Sequence, residues 1–343
     1  MKSSLELLKE LSEAPGVPGR EDLIRDIVIR EIKGHVDSVS VDPMGNVISH
    51  REGSLKTRQR IMFAAHMDEI GFYVSFIDDR GFIRLQEVGG FDTRNLFARR
   101  VLIHSKKGPI KGILVPAGKP LHLSTLDDRR AYKEVSEFYV DLGLSGKQVR
   151  SLVAVGDMVT LHAPFEMVGE YATGKCLDNR VSVYLGIRAL QTIKKPKHDV
   201  FGVFTVQEEV GLRGAQPGAY GVNPDIALAL DTTVAGDTPG ITPESRVTSL
   251  GGGAAIKVMD GSVICSREVV DRLTATAKKF KIKHQFEVLP RGGTDAGAVQ
   301  RVRAGVKTAA ISVPTRYLHT VTEAVNVSDV EAAEVLLKRF LEG

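Results

Sequence analysis

Hydrophobic residues recur along this chain at two spacings, and the dominant spacing changes twice. Near the start, Leu5, Leu7, Leu8 and Leu11 fall at helical intervals, with Ser3 or Ser4 as the cap, and Pro15-Gly16-Val17-Pro18-Gly19 ends the pattern. A second helical stripe carries Leu23, Ile24, Ile27 and Ile32. Short β runs follow: Val36 to Val41, Val47 to His50 beyond the turn Asp42-Pro43-Met44-Gly45-Asn46, and the wholly apolar Ile61 to Ala65.

From about Glu69 the texture becomes β runs separated by turns. Phe72 to Ile77, Phe82 to Leu85, Arg100 to His104 and Ile110 to Val115 are the clearest. Helical patterns at Asp127 to Val135 and Ser145 to Leu152 interrupt them. From Met167 onward helices and strands alternate. Arg180 to Leu190, Arg267 to Phe280 and Val327 to Leu341 have the helical period, and Val200 to Val206, Ile226 to Leu230 and Ala309 to Val313 are apolar strands. Alternation of this kind predicts an α/β sandwich with a largely buried sheet. The expected organisation is one α/β domain from residues 1–68 and 166–343, with a small β-rich domain, residues 69–165, inserted into it.

Composition narrows the class. A chain of 343 residues has room for two domains, and 43% hydrophobic with 26% charged residues excludes a disordered or fibrous protein. No apolar run approaches the roughly 18 residues of a membrane span, and Met1 to Glu13 lacks the apolar centre of a secretion signal. Two cysteines, Cys176 and Cys265, cannot build a disulfide framework or a thiolate zinc cluster, which points to a reducing cytoplasm. Cys176 itself is expected to be a small buried side chain. The net charge of +4 is too small an excess to argue for a nucleic-acid partner.

Several common catalytic signatures are missing: a phosphate loop, a Gly-x-Ser-x-Gly elbow and a His-Glu-x-x-His pair. What stands out is acidic and histidine residues where strands end. His66-Met67-Asp68 follows the strand Ile61 to Ala65, and residues two apart on an extended chain point the same way, so Asp68 can accept a hydrogen bond from the His66 imidazole. Glu208-Glu209 follows Val200 to Val206, Asp231 ends Ile226 to Leu230, Asp178 precedes a helix, and His319 follows Ile311 to Pro314. In open α/β sheets that edge is where ligands bind. Imidazole and carboxylate donors without thiolate suit Zn²⁺, Co²⁺ or Mn²⁺ in a two-metal hydrolytic site. Three carboxylate ligands and one bridging hydroxide would balance two dications, leaving Glu208 as a base.

The ordered set of motifs resembles the M42 family of metalloaminopeptidases, the TET peptidases, whose members also carry glutamyl aminopeptidase and endoglucanase labels. It comprises Asp42-Pro43-Met44-Gly45-Asn46, Ala65-His66-Met67-Asp68-Glu69, Lys175-Cys176-Leu177-Asp178-Asn179-Arg180, Val206-Gln207-Glu208-Glu209-Val210-Gly211, Leu230-Asp231, Gly292-Gly293-Thr294-Asp295-Ala296 and Tyr317-Leu318-His319. The resemblance implies a zinc-peptidase-like α/β/α sandwich with the inserted β domain joining protomers. It implies His66 and Asp231 on one metal, Glu209 and His319 on the other, Asp178 bridging, Glu208 as general base and Asp68 orienting His66. Arg291, Gly292, Gly293 and Thr294 are expected to contribute to substrate binding. The longest interval in the site, between His66 and Asp178, is where M42 proteins carry their insert; the related M20 enzymes place theirs between the last carboxylate ligand and the final histidine. The implied activity is removal of N-terminal residues from short peptides with a free N-terminus, by attack of a metal-bridging hydroxide. Two divalent ions per subunit are implied, zinc or cobalt, with manganese a third choice. The implied particle is a homo-oligomer, a dodecamer built from dimers, without nucleic acid or membrane. A deacylase or carbohydrate-active hydrolase on the same metal scaffold is the alternative, and the complete lack of Trp with only 6% aromatic residues argues against sugar stacking.

Overall fold

Residues 4–343 are described by a computed structural model, so the helix cap at Ser3 lies outside the described residues. Both early stripes form helices. α1 (Ser4–Glu13) buries Leu7, Leu8 and Leu11, and α2 (Asp22–Ile32) buries Ile24, Val28 and Ile32. The first strands are β1 (Ser38–Val41), β2 (Val47–Arg51) and β3 (Arg60–His66). By packing, the chain divides into two units. One comprises the chain up to Glu69, Pro164–Leu318 and Thr322–Gly343; the other comprises Ile70–Ala163 with His319–Val321.

The second unit is a closed barrel. Its strands are β4 (Gly71–Ile77), β5 (Ile83–Val88), β6 (Arg99–Ser105), β7 (Gly108–Pro116), β8 (Phe138–Asp141) and β9 (Met158–Leu161), in the order β4-β5-β8-β7-β6-β9. Every neighbouring pair is antiparallel. Side chains alternate: Leu114 joins the interior with Phe72, Val101 and Phe138, while the adjacent Ile113 is exposed. The helix expected over Asp127 to Val135 is shorter than its pattern. α3 (Leu126–Arg130) starts at a Thr125–Asp128 capping box and stops at Ala131, which is extended. Leu126 is exposed, and among the described side chains of α3 none is buried, while Val135 reaches the barrel interior from a separate 3₁₀ turn. α4 (Gly146–Leu152) follows a Ser145–Gln148 capping box.

The first unit resumes with β10 (Glu166–Val168), β11 (Tyr171–Gly174), α5 (Leu177–Thr192), β12 (Asp199–Thr205), α6 (Ala215–Val222) and β13 (Ile226–Val234). It ends with β14 (Ala254–Met259), α7 (Arg267–Lys279), β15 (His284–Val288), α8 (Asp295–Val299), β16 (Lys307–Arg316), β17 (Glu323–Asn326) and α9 (Val327–Glu342). With β1, β2 and β3 these strands build one eleven-stranded sheet, whose central strands β12-β3-β13-β16 are parallel. β3 shows why the sheet has two covered faces. Ile61, Phe63 and Ala65 point into the cluster shared with α1, α2, α5, α7 and α9, while Met62 and Ala64 point into the cluster shared with α6 and α8. A strand buried on both sides has no polar alternation, which is why β3 is a continuous apolar run. The fold class is the expected one, a mixed α/β protein with helices on a central sheet.

Candidate metal centre

β3 is flanked by β12 and β13, and all three run in the same direction, so their C-terminal ends share one edge. His66, the last residue of β3, stands opposite Thr205 at the end of β12. On the other side the pairing runs to Ala64 opposite Ala229, two residues short of His66 and of Asp231. The register therefore brings His66 and Asp231 to the same level. His66 Nε2 lies 3.4 Å from Asp178 Oδ1, 3.7 Å from Asp231 Oδ1 and 3.8 Å from Glu208 Oε2. Two three-residue groups result, His66-Asp178-Asp231 and His66-Glu208-Glu209, each with its ligand atoms within 4.8 Å of one another.

Local contacts explain why these side chains converge. The Asp178 amide donates to Glu323 Oε2 at 2.9 Å, and Asn179 Nδ2 donates to the Leu230 carbonyl at 2.8 Å, tying the start of α5 to β13 beside Asp231. The buried Arg180 guanidinium donates to the Leu11 and Ala14 carbonyls at 2.7 and 2.8 Å. Asp68 faces His66 with both its carboxylate and its backbone carbonyl. The acceptor nearest His66 Nδ1 is the Asp68 backbone carbonyl at 3.2 Å, with the carboxylate at 3.7 Å. The carboxylate also receives the amides of Glu208 and Glu209, each at 3.0 Å. A carbonyl can only accept, so the bond at Nδ1 places a hydrogen there and leaves Nε2 as the ring nitrogen that a metal on the carboxylate side would take once it is free of its proton. His319 belongs to the barrel unit and has the same device, its Nδ1 lying 2.8 Å from the Gly90 carbonyl.

The electrostatics of the site are those of excess negative charge. Burial pushes the Glu208 carboxyl up, and Asp231, Glu209 and Asp295 push it further against the pull of His66, leaving it well above the usual carboxylate range. Asp231 is also raised, by burial first. For His66, burial disfavours the imidazolium, but Glu208, Asp178, Asp231 and Asp68 together outweigh it and hold its pKa well above the ordinary value. A cluster in which Glu208, Asp231 and His66 each hold their protons more tightly than usual is one that a dication would satisfy better. Imidazole and carboxylate donors at this spacing fit a borderline divalent ion.

The turn predicted for substrate is less directly connected. Arg291, Gly292 and Gly293 are exposed, and among the described residues no hydrogen bond or ion pair joins them to the carboxylate cluster. Thr294 is buried, with its Oγ1 3.4 Å from Asp260 Oδ2 and its amide 3.4 Å from Ser262 Oγ. Asp295, which the sequence offers as part of the Gly292-Gly293-Thr294-Asp295-Ala296 motif and of a substrate loop or glycine turn, is buried beside the site. Its Oδ2 accepts from Thr205 Oγ1 at 2.5 Å, its Oδ1 has no hydrogen-bond partner, and burial pushes its carboxyl up to about 7. Cys176 is buried, and burial pushes its thiol upward.

The family described as M42 glutamyl aminopeptidase matches this chain over residues 45–336. The chain belongs to the M42 family. A putative aminopeptidase of Acetivibrio thermocellus is 39% identical over 333 residues, covering 97% of this chain and 96% of the relative. The lysyl aminopeptidase of Pyrococcus furiosus is 34% identical over 346 residues, covering 98% and 96%. Among solved structures, the Pyrococcus horikoshii TET1 peptidase, which can assemble into a tetrahedron or a large octahedral shell, superposes with a TM-score of 0.88 at 34% identity, covering 99% of each chain. The M42 resemblance drawn from the motifs therefore holds, and with it the aminopeptidase class and the α/β peptidase fold. Metal dependence of the family agrees with the acidic and histidine groups around His66. Among the described residues no helix is long and apolar enough to cross a membrane.

Proposed function

We propose that this M42 protein is a dinuclear metal-dependent aminopeptidase that removes N-terminal residues from short peptides, with Glu208 as its general base. The observation that carries the reading is the convergence of Asp178, Asp231 and Glu208, from three separate segments, on the Nε2 side of one oriented imidazole. In this reading His66 and Asp231 hold one divalent ion, Glu209 and His319 the other, and Asp178 serves both. Zinc or cobalt suits the donors best, with manganese the third choice. Such ions would acidify a water and polarise the scissile carbonyl.

The chain's own residues supply the proton handling. Burial and the neighbouring acids hold Glu208 above the usual carboxylate range, the direction that makes a carboxylate a stronger base. Its carboxylate takes the proton of the water whose oxygen bonds to the carbonyl carbon. The same proton passes to the peptide nitrogen as the carbon–nitrogen bond breaks, which returns Glu208 to its carboxylate form. The surrounding acids favour a substrate with a free α-ammonium, and the Arg291 to Thr294 turn is assigned to the substrate side. We assign the barrel unit to assembly of a homo-oligomer, a dodecamer built from dimers, in the cytoplasm. The shells formed by the TET1 relative support this reading.

Hydrolysis of an aminoacyl p-nitroanilide panel, with zinc or cobalt restored after chelation, tests the chemistry. Free N-terminal substrates should turn over and N-acetylated ones should not. Efficient cleavage of an acetylated peptide, or full activity in chelator, refutes it. Light scattering tests the assembly, which a monomeric mass at micromolar protein would exclude without touching the chemistry.

A further inference from the structure

Beyond Thr205 the chain leaves the sheet, and the four amides that follow must find partners away from the strand ladder. Each of them meets a side-chain oxygen from a distant segment. Val206 N donates to Asn46 Oδ1 at 3.0 Å, Gln207 N to Glu21 Oε1 at 3.2 Å, and Glu208 N and Glu209 N to the two oxygens of Asp68 at 3.0 Å. All three acceptor residues are buried: Glu21 is 4% exposed, and Asn46 and Asp68 are fully enclosed.

Glu21 is the telling member. It occupies the N-cap position of α2, where a carboxylate ordinarily accepts an amide of its own helix, yet it makes no such bond. Its Oε1 accepts from Gly19 N at 2.8 Å and from Gln207 N instead. Gln207 has φ +56°, in the left-handed region that side chains other than glycine enter reluctantly, so its peptide needs an external hold. Asn46 is held just as firmly. Its Nδ2 donates to Asp42 Oδ2 at 2.6 Å and to the Gly214 carbonyl at 2.9 Å, so it spans both ends of the loop from Val206 to Gly214.

We propose that Glu21 and Asn46 are positioning residues for hydrolysis: by accepting the amides of Gln207 and Val206, they fix the backbone from which Glu208 and Glu209 project. The proposal rests on the reading of Glu208 as the base. Both residues act through the loop, and what they supply is an acceptor oxygen at a set place. Glutamine at position 21 keeps that oxygen, whereas alanine or methionine removes it.

The test compares Glu21→Ala with Glu21→Gln in the full chain, and uses Glu21→Met, of similar length but with no acceptor, should the alanine variant not fold. Amide exchange is followed by mass spectrometry over residues 204–212 in metal-free protein, and kcat and KM are measured at saturating metal. Loss of the acceptor should raise exchange in that segment by about tenfold or more and lower kcat by about tenfold, with KM within about twofold. Glu21→Gln should return both readouts to within about threefold of wild type. Wild-type exchange in Glu21→Ala or Glu21→Met, an unchanged kcat, or a glutamine variant as impaired as alanine overturns the proposal. Glu208→Gln measured alongside separates the two ideas. If it retains full turnover, the base assignment fails; if it is inactive while the acceptor-less variants behave as wild type, only the positioning role falls.

Discussion

Asp68→Asn exchanges one carboxylate oxygen for an amide nitrogen and so reverses one hydrogen bond. In the native chain both Asp68 oxygens accept, from Glu208 N and Glu209 N at 3.0 Å each. Asparagine can keep one of these bonds with its Oδ1, but its NH₂ group then faces the other N–H, donor against donor. A hydrogen bond to a charged acceptor contributes about 1.5–3 kcal/mol, and a buried amide left without an acceptor costs about 1–3 kcal/mol more. Partial relaxation of the loop makes the two less than additive, so local opening should become easier by about 2–4 kcal/mol, or roughly 30- to 1,000-fold. Native-state amide exchange at Glu208 and Glu209, on metal-free protein, reads this directly. Amides in the middle of β13 should change far less, because the effect belongs to the loop. Metal affinity in a chelator titration should fall by roughly 10–100-fold as the loop carrying Glu209 loosens. Loop exchange within about threefold of wild type would refute the reasoning and make the Asp68 carboxylate a bystander.

Glu208→Gln should keep its metal while turnover falls by roughly 10²–10⁴, and Glu209→Gln should lose metal occupancy; elemental analysis showing the reverse would exchange the two roles. Glu21 supplies a pH prediction, because burial pushes its carboxyl from 4.5 up to about 7. The folded chain therefore keeps a proton that the unfolded chain releases, and the Glu21 contribution to stability falls as pH rises from about 4.5 to about 7, then levels off. Glu21→Gln removes this term, so denaturant titrations should show the variant gaining on wild type by up to about 3 kcal/mol between pH 4.5 and pH 8; a constant difference across that range would contradict it. Gly186→Ala should destabilise by about 1–2 kcal/mol, since an added Cβ would lie 2.7 Å from a Phe63 ring atom and 3.0 Å from Phe204, and overpacking outweighs the helix propensity gained. A raised melting temperature would show that the two rings yield.

Much of this architecture is local and was legible in the residues themselves. Apolar stripes in α1, α2 and α9, and continuous apolar runs in β3, β12, β13 and β16, follow from short-range periodicity, so their burial could be read before their partners were known. α6 escaped that reading because Pro217, Gly218 and Gly221 interrupt it, and α3 stops at Ala131 with Leu126 exposed, so the pattern from Asp127 to Val135 is only partly helical. The candidate site residues were visible as acids and histidines at strand ends, and the M42 resemblance implied their places. Which atoms they would use was decided only in three dimensions. Asp68 meets amides 140 and 141 residues away with its carboxylate, and its backbone carbonyl comes closer to the His66 imidazole than that carboxylate does. Asp295 is buried against Thr205, 90 residues distant, and Glu21 gives up its own helix to hold Gln207. A side chain's choice among acceptors depends on which groups the packed core deprives of water, and sequence spacing carries no record of that competition.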